Sequence, residues 1–191
     1  DMLRMITRLI GEHIELQFVP AGKPLWIFAD PTQIEQILLN LCVNARDAMP
    51  GGGKIEIRAL SAMIQEERKD ITLTLSPGEY VCITVTDTGH GITEEVIEHI
   101  FEPFFSTKEM GQGAGLGLAT VYGIVRQYNG GITVQSTIGK GTTFKVYFPA
   151  MPQETASVER EVAKTADEAV GGVETILVAE DEEMVRELAR E

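Results

Sequence analysis

The sequence predicts an α+β fold: a two-layer sandwich whose mixed, mostly antiparallel sheet carries its helices on one face. Three observations lead there. Apolar residues recur at helical spacing through 31–49 and again through 115–128. Shorter apolar or alternating stretches at 14–20, 25–29, 54–64, 80–86, 132–137 and 142–148 read as strands. Turn residues such as Ile138-Gly139-Lys140-Gly141 join several of these as hairpins.

Asp1 to Ile10 reads as the end of an amphipathic helix, so 1–13 is expected to close an upstream segment. The extended stretches IELQFVP (14–20) and LWIFA (25–29) follow, separated by Gly22-Lys23-Pro24. Asp30 suits an N-cap, Pro31 the first helical position, and Gln33 a capping-box-like arrangement. That helix runs to about Met49 and stops at Pro50-Gly51-Gly52-Gly53. A strand at 54–64 leads into a charged hairpin loop, 65–79, and the strand 80–86 alternates with Val81, Ile83 and Val85 on one face. A short helix at 93–100, the aromatic FEPFFSTK and the glycine cluster GQGAGLGL precede the helix 115–128, which Asn129-Gly130-Gly131 stops. The hairpin ITVQST/TTFKVYF closes the body at 150; 151–173 reads as a linker, and TILVAED opens a new strand within 174–191.

The net charge of −13 argues against nucleic-acid binding, since no basic face is present to displace counterions from phosphates. Residues 153–191 alone hold 12 acidic and 4 basic side chains. No run is apolar and long enough to span a bilayer. Cys42 and Cys82 lie in apolar surroundings without C-x-x-C spacing, as expected of reduced core thiols in a cytoplasmic protein.

Three segments carry chemistry. In the helix EQILLNLCVNARDAM, Ile34, Ile37, Leu38, Leu41, Ala45 and Ala48 form a core face, while Gln36, Asn40, Asn44 and Asp47 align as a polar stripe. Burying an unpartnered carboxamide costs about 1–3 kcal/mol, so the stripe faces a partner, a wet cleft or plain solvent. Amides suit a phosphate–metal site: the oxygen ligates a hard cation such as Mg²⁺, and the NH₂ donates to phosphate. In DTGHGI (87–92), Asp87 at a strand end can accept from the exocyclic amine of adenine, and Gly89 and Gly91 admit a flat ligand. In GQGAGLGL (111–118), closely spaced glycines and a helix N-terminus offer N–H groups to phosphates. Each segment alone is also compatible with an ordinary turn, loop or solvated face. No G-x-x-x-x-G-K-[ST] is present, which excludes a P-loop.

In order and spacing these segments resemble the catalytic ATP-binding domain of sensor histidine kinases, within the gyrase, Hsp90, histidine kinase and MutL group of the Bergerat-type ATP-binding fold. The resemblance covers about 14–150, and GKGTTF (139–144) resembles the group's last box. It implies ATP and Mg²⁺ as ligands, with Asn44 as the metal ligand and catalytic residue and Asn40 on the phosphates. It further implies Asp87, Gly89, Gly91 and Ile92 at adenine, and Thr142 at its far end. Gly113, Gly115, Leu116, Gly117 and Leu118 form the lid, Lys108 and Asp47 lie near the phosphates, and Phe101, Phe104 and Phe105 are lid hinges or apolar anchors. Hydrolysing members carry a glutamate where this chain has Asn40, so transfer to a protein acceptor fits better than hydrolysis. Some kinases have a lysine at the position of Asp47, a role that Arg46 could take over.

The segment 174–191 resembles the first strand of a response-regulator receiver domain, with Glu180-Asp181 as its acidic pair. The resemblance implies a hybrid kinase: a histidine-bearing dimerisation domain upstream, a receiver or response regulator as partner, a homodimer at full length and a monomer as this fragment. It leaves room for a membrane anchor upstream. A serine kinase of the same fold and an ATP-binding regulatory switch are the competing readings.

Overall fold

The computed structural model describes residues 2–70, 73–107 and 114–152. The expectations for Lys108, Gly113, the linker 151–173 beyond Pro152 and the receiver-like 174–191 lie outside the described residues. Element order is α1 (Met2–Ile10), β1 (Ile14–Val19), α2 (Pro31–Asp47), β2 (Gly53–Ile64), β3 (Arg68–Asp70), β4 (Leu73–Leu75), β5 (Gly78–Asp87), α3 (Glu94–Ile97), α4 (Gly117–Gln127), β6 (Gly131–Thr137) and β7 (Gly141–Pro149).

Five strands form one sheet in the order β1-β2-β5-β7-β6. All pairs are antiparallel except β1 with β2, where Ile14 lies opposite Gly53 and Leu16 opposite Ile55. A parallel pair needs a long crossover, and the stretch containing α2 supplies it. Strand alternation puts Ile55 and Ile57 of β2, Val85 of β5, and Phe144, Val146 and Phe148 of β7 into the main core. Ile37 and Leu41 of α2 and Val121 and Val125 of α4 meet them there. Each such side chain contributes about 1.5–3 kcal/mol over leaving it exposed. The two-layer sandwich predicted from the sequence is the observed fold. Helix α1, expected as the end of an upstream segment, buries Ile6 and Ile10 in this same core.

Several local expectations need correction. LWIFA is no strand; its one ladder contact is a bridge from Ile27 to Ala150. Pro20, Gly22 and Pro24 crowd its entrance, and prolines lack the N–H a ladder needs. The stretch 65–79 is more than a loop, since β3 and β4 pair within it. Leu75 joins Ile64, Tyr80, Cys82 and Tyr147 in a second small cluster on the opposite side of the sheet from the helices. The helix expected at 93–100 shortens to α3, and the one expected from 115 begins at Gly117, because Gly115 has φ +65°, outside helical geometry.

The capping of α2 is half as expected. Asp30 accepts from the Thr32 amide at 2.8 Å, but Gln33 Oε1 is buried without a partner. The Asp30 amide, which a capping box would give to Gln33, donates to the Tyr128 hydroxyl at 3.0 Å. Both cysteines are buried free thiols, and burial pushes Cys42 up to about 12. Among the described residues no helix is long and apolar enough to cross a membrane.

Candidate nucleotide-binding site

Helix α2 presents Asn40 and Asn44 one turn apart, both half-buried. They face the start of α4: a methyl group placed on Gly117 would stand 3.6 Å from Asn40 Oδ1 and 4.0 Å from Asn44 Nδ2. No side chain caps α4, whose N-cap position is Leu116. Among the described residues no side chain bonds its first-turn amides, and its positive dipole end favours an anion, near two neutral oxygen-bearing side chains. Carboxamide oxygens are hard donors of the kind Mg²⁺ takes, so this donor set fits the cation.

The approach to α4 is fixed by the aromatic segment. The Phe104 amide donates to the Gly115 carbonyl at 3.0 Å, and Phe104 itself has φ +68°. A Cβ on Gly115 would come within 2.5 Å of the Phe104 carbonyl carbon, so glycine is required there. Phe101 packs on Tyr122 of α4 with ring centroids 5.7 Å apart, and Phe105 also packs on the core. These two are anchors. Phe104 is 77% exposed and is not part of the core among the described residues.

At the end of β5, Asp87 is 5% exposed and Thr142 of β7 is 4% exposed; they are the buried polar side chains among the described residues. Asp87 Oδ1 accepts from the Gly89 amide at 2.8 Å and the Thr142 amide at 3.2 Å. Those bonds leave Oδ2 for a ligand. Burial raises the carboxyl above its ordinary 3.8, and the two amides and His90 oppose the rise. The following turn is held from both sides. The His90 amide donates to the Ala48 carbonyl at the end of α2, and the Gly139 amide donates to the His90 carbonyl. Gly89 backs onto Ala48 so closely that a Cβ would lie 2.7 Å from the alanine methyl. Gly91, at φ +77°, abuts the Thr137 carbonyl in the same way. Ile92 donates its amide to Ser136 Oγ and packs against the core.

A recess of about 250 Å³ lies at this end of the sheet, lined by Asp87, Ser136 and Thr142 together with Thr86, Gln135, Thr143 and the turn between β6 and β7; Gly89, Gly91 and Ile92 do not line it. A larger depression, about 440 Å³, lies elsewhere, between Phe18, the loop 20–25 and Ala59. It holds none of the predicted site residues.

Residues 29–152 match the family described as histidine kinase-, DNA gyrase B- and HSP90-like ATPase. The chain belongs to this family. It carries the ATP-binding catalytic domain of a histidine kinase. Sensor kinase CckA of Brucella abortus (strain 2308) is 44% identical over 194 residues, covering 97% of this chain and 20% of that protein. The chain thus spans about a fifth of this curated relative. The solved structure of the mycobacterial sensor histidine kinase MprB matches with TM-score 0.61 and 26% identity, over 80% of this chain and 91% of that one. Full-length ShkA in complex with AMPPNP matches with TM-score 0.59 and 28% identity, over 78% of this chain and 29% of that one.

Within this histidine kinase domain the matched span contains every predicted site residue. The structure brings Asn40, Asn44 and Gly117 together, with Leu118 in the first turn of α4, and separately gathers Asp87, Gly89, Gly91, Ile92 and Thr142. Arg46, the residue that could replace the lysine of other kinases, is paired with Asp47 in this structure. Arg46 bonds Asp47 Oδ1 at 2.6 and 2.8 Å and the Leu9 carbonyl of α1 at 3.0 Å, so its guanidinium is engaged away from α4. Sequence reasoning missed Ser136. The alternation Ile132, Val134, Ser136 was a usable signal, because it puts a hydroxyl on an otherwise apolar strand face.

Proposed function

We propose that the domain holds ATP with Mg²⁺ between the asparagines of α2, the turn 87–92 and the start of α4, and passes the γ-phosphoryl group to a histidine on a separate helical domain. What carries this reading is the opposition of Asn40 and Asn44 to a helix N-terminus without a side-chain cap, together with a buried carboxylate at the end of β5 that has one oxygen left for a ligand. Asp87 Oδ2 takes the exocyclic amine of adenine, with Gly89 and Gly91 shaping the slot. Asn44 ligates Mg²⁺, and Asn40 with the first amides of α4 binds phosphate oxygens. Mg²⁺, when bound, neutralises charge on the phosphates. Gly113, Gly115, Leu116 and Gly117 close over them, with Lys108 as a further phosphate contact.

Transfer breaks the bond between the γ-phosphorus and its bridging oxygen, leaves ADP, and forms a phosphorus–nitrogen bond to imidazole. The chain's own histidines lie off α2 and α4, the two helices that frame the phosphate end of the site. His90 Nδ1 donates to the Gly91 carbonyl, and His99 Nδ1 bonds Glu102 at 2.7 Å beside the ring of Phe105. His13 stands at the entrance to β1, on the loop after α1. With Asn40 where hydrolysing relatives place a glutamate, the position one turn before Asn44 carries no carboxylate to activate water. The acceptor belongs to an upstream dimerisation domain, and the full-length protein is a cytoplasmic-facing homodimer. The tail resembles the opening of a receiver domain, and the similarity to CckA extends over it, which supports a hybrid kinase.

Mixing this chain with a separately made helical acceptor domain of the same kinase and γ-labelled ATP should place acid-labile label on the acceptor alone. Acid-labile label on this chain by itself, lost on replacing one of its three histidines, would overturn the division of labour.

A further inference from the structure

Ser136 sits where three elements meet, and its hydrogen bonds are all accounted for. It accepts from the Ile92 amide at 2.8 Å and lies 3.1 Å from the Gly141 carbonyl and 2.9 Å from Thr142 Oγ1. A serine hydroxyl has one proton and two lone pairs. The Gly141 carbonyl can only accept, so the serine proton occupies that bond. The Ile92 N–H fills one lone pair. The remaining contact to Thr142 then needs a proton, and only the threonine can supply it.

From this count we infer that Ser136 is a specificity-determining residue: it holds the Thr142 hydroxyl as a hydrogen-bond acceptor toward the recess and so selects purines bearing a six-amino group. Thr142 also gives its amide to Asp87 Oδ1. Asp87 and Thr142 both line the recess, and on this count the acceptors they offer a ligand are Asp87 Oδ2 and the lone pairs of Thr142 Oγ1. Two acceptors match an amine and repel a carbonyl. Removing the Ser136 hydroxyl frees the threonine proton, which can then donate to a six-oxo group. This rests on the reading of Asp87 as the amine's partner.

The test is the ratio of ATP to ITP affinity, measured by calorimetry on the 191-residue chain. The wild type should prefer ATP, and Ser136→Ala should lower the ratio by about fivefold, as for exchanging one matched hydrogen bond for a mismatched one. Ser136→Thr, which keeps a hydroxyl, should stay within about twofold of wild type. In a Thr142→Val background, Ser136→Ala should no longer move the ratio. A Ser136→Ala protein that loses ATP and ITP affinity by the same factor has suffered a structural defect only, and the inference falls. It falls equally if the ratio drops as far in the Thr142→Val background. Should Ser136→Ala not fold, Thr142→Val alone decides, since it removes the acceptor and must lower the same ratio. A wild type with no preference for ATP would instead sink the Asp87 reading itself.

Discussion

Asp87→Asn is expected to bind ATP at least about tenfold more weakly, a loss of about 1.4 kcal/mol, while its nucleotide-free form melts no lower than wild type. The two effects have one cause. Asp87 is buried, and desolvation raises its carboxyl above 3.8. A raised folded-state value means that ionisation disfavours the folded form: the favourable contribution is complete below the unfolded value and is lost as pH rises through the folded one. At neutral pH the free domain therefore carries a buried charge that asparagine lacks. The asparagine oxygen can still accept from Gly89 and Thr142, so the turn survives. Its NH₂, placed where Oδ2 was, meets the adenine amine donor to donor. On the same ground, ATP affinity of the wild type should fall on acidification before an ordinary aspartate would protonate, and the variant should lack that limb. Calorimetric titration at several pH values, with thermal melts, checks both halves; unchanged affinity in Asp87→Asn would remove this residue from the site.

The largest loss of transfer is expected from Asn44→Leu, on the order of 10²-fold or more, as for removing one preorganised electrostatic contact to the reacting phosphates. The fold should persist. Asn44 is half-buried on a helix whose neighbours Leu41, Cys42 and Ala45 are core residues, and leucine is a good helix former. Asn44→Asp keeps the shape but adds a negative charge beside the triphosphate, so it should bind and transfer less well than wild type and better than leucine. Transfer of label to an isolated acceptor domain, alongside circular dichroism, separates catalysis from folding. Wild-type transfer by either variant would exclude Asn44 as the metal ligand.

What the sequence made legible was set by local rules. Helical spacing drew out α2, alternation drew out β5 and the hairpin of β6 and β7, and glycine with carboxamide chemistry pointed to the groups that now face one another across Gly117. The failures are partly non-local and partly a matter of single prolines and glycines. Gln33 loses its expected cap because Tyr128, 98 residues away from Asp30, takes the amide first. Ser136 meets Thr142 only six residues on, across the hairpin turn, but its bond to Ile92 spans 44 residues that no short window contains. The apolar 25–29 looks like a strand until Pro20 and Pro24 are weighed against its alternation. The start of α4 was placed two residues early because a left-handed Gly115 cannot be told from a helical one by composition.

The most direct test of the account is amide hydrogen exchange on the chain with and without ATP–Mg²⁺. Exchange should slow in four stretches: 40–48 on α2, 87–92 after β5, 106–120 across the proposed lid and the start of α4, and 136–142 on the hairpin of β6 and β7. The loop 20–25, beside the larger depression, should exchange alike in both states. Protection confined to 18–25, with the four stretches unchanged, would place the nucleotide elsewhere and contradict the account.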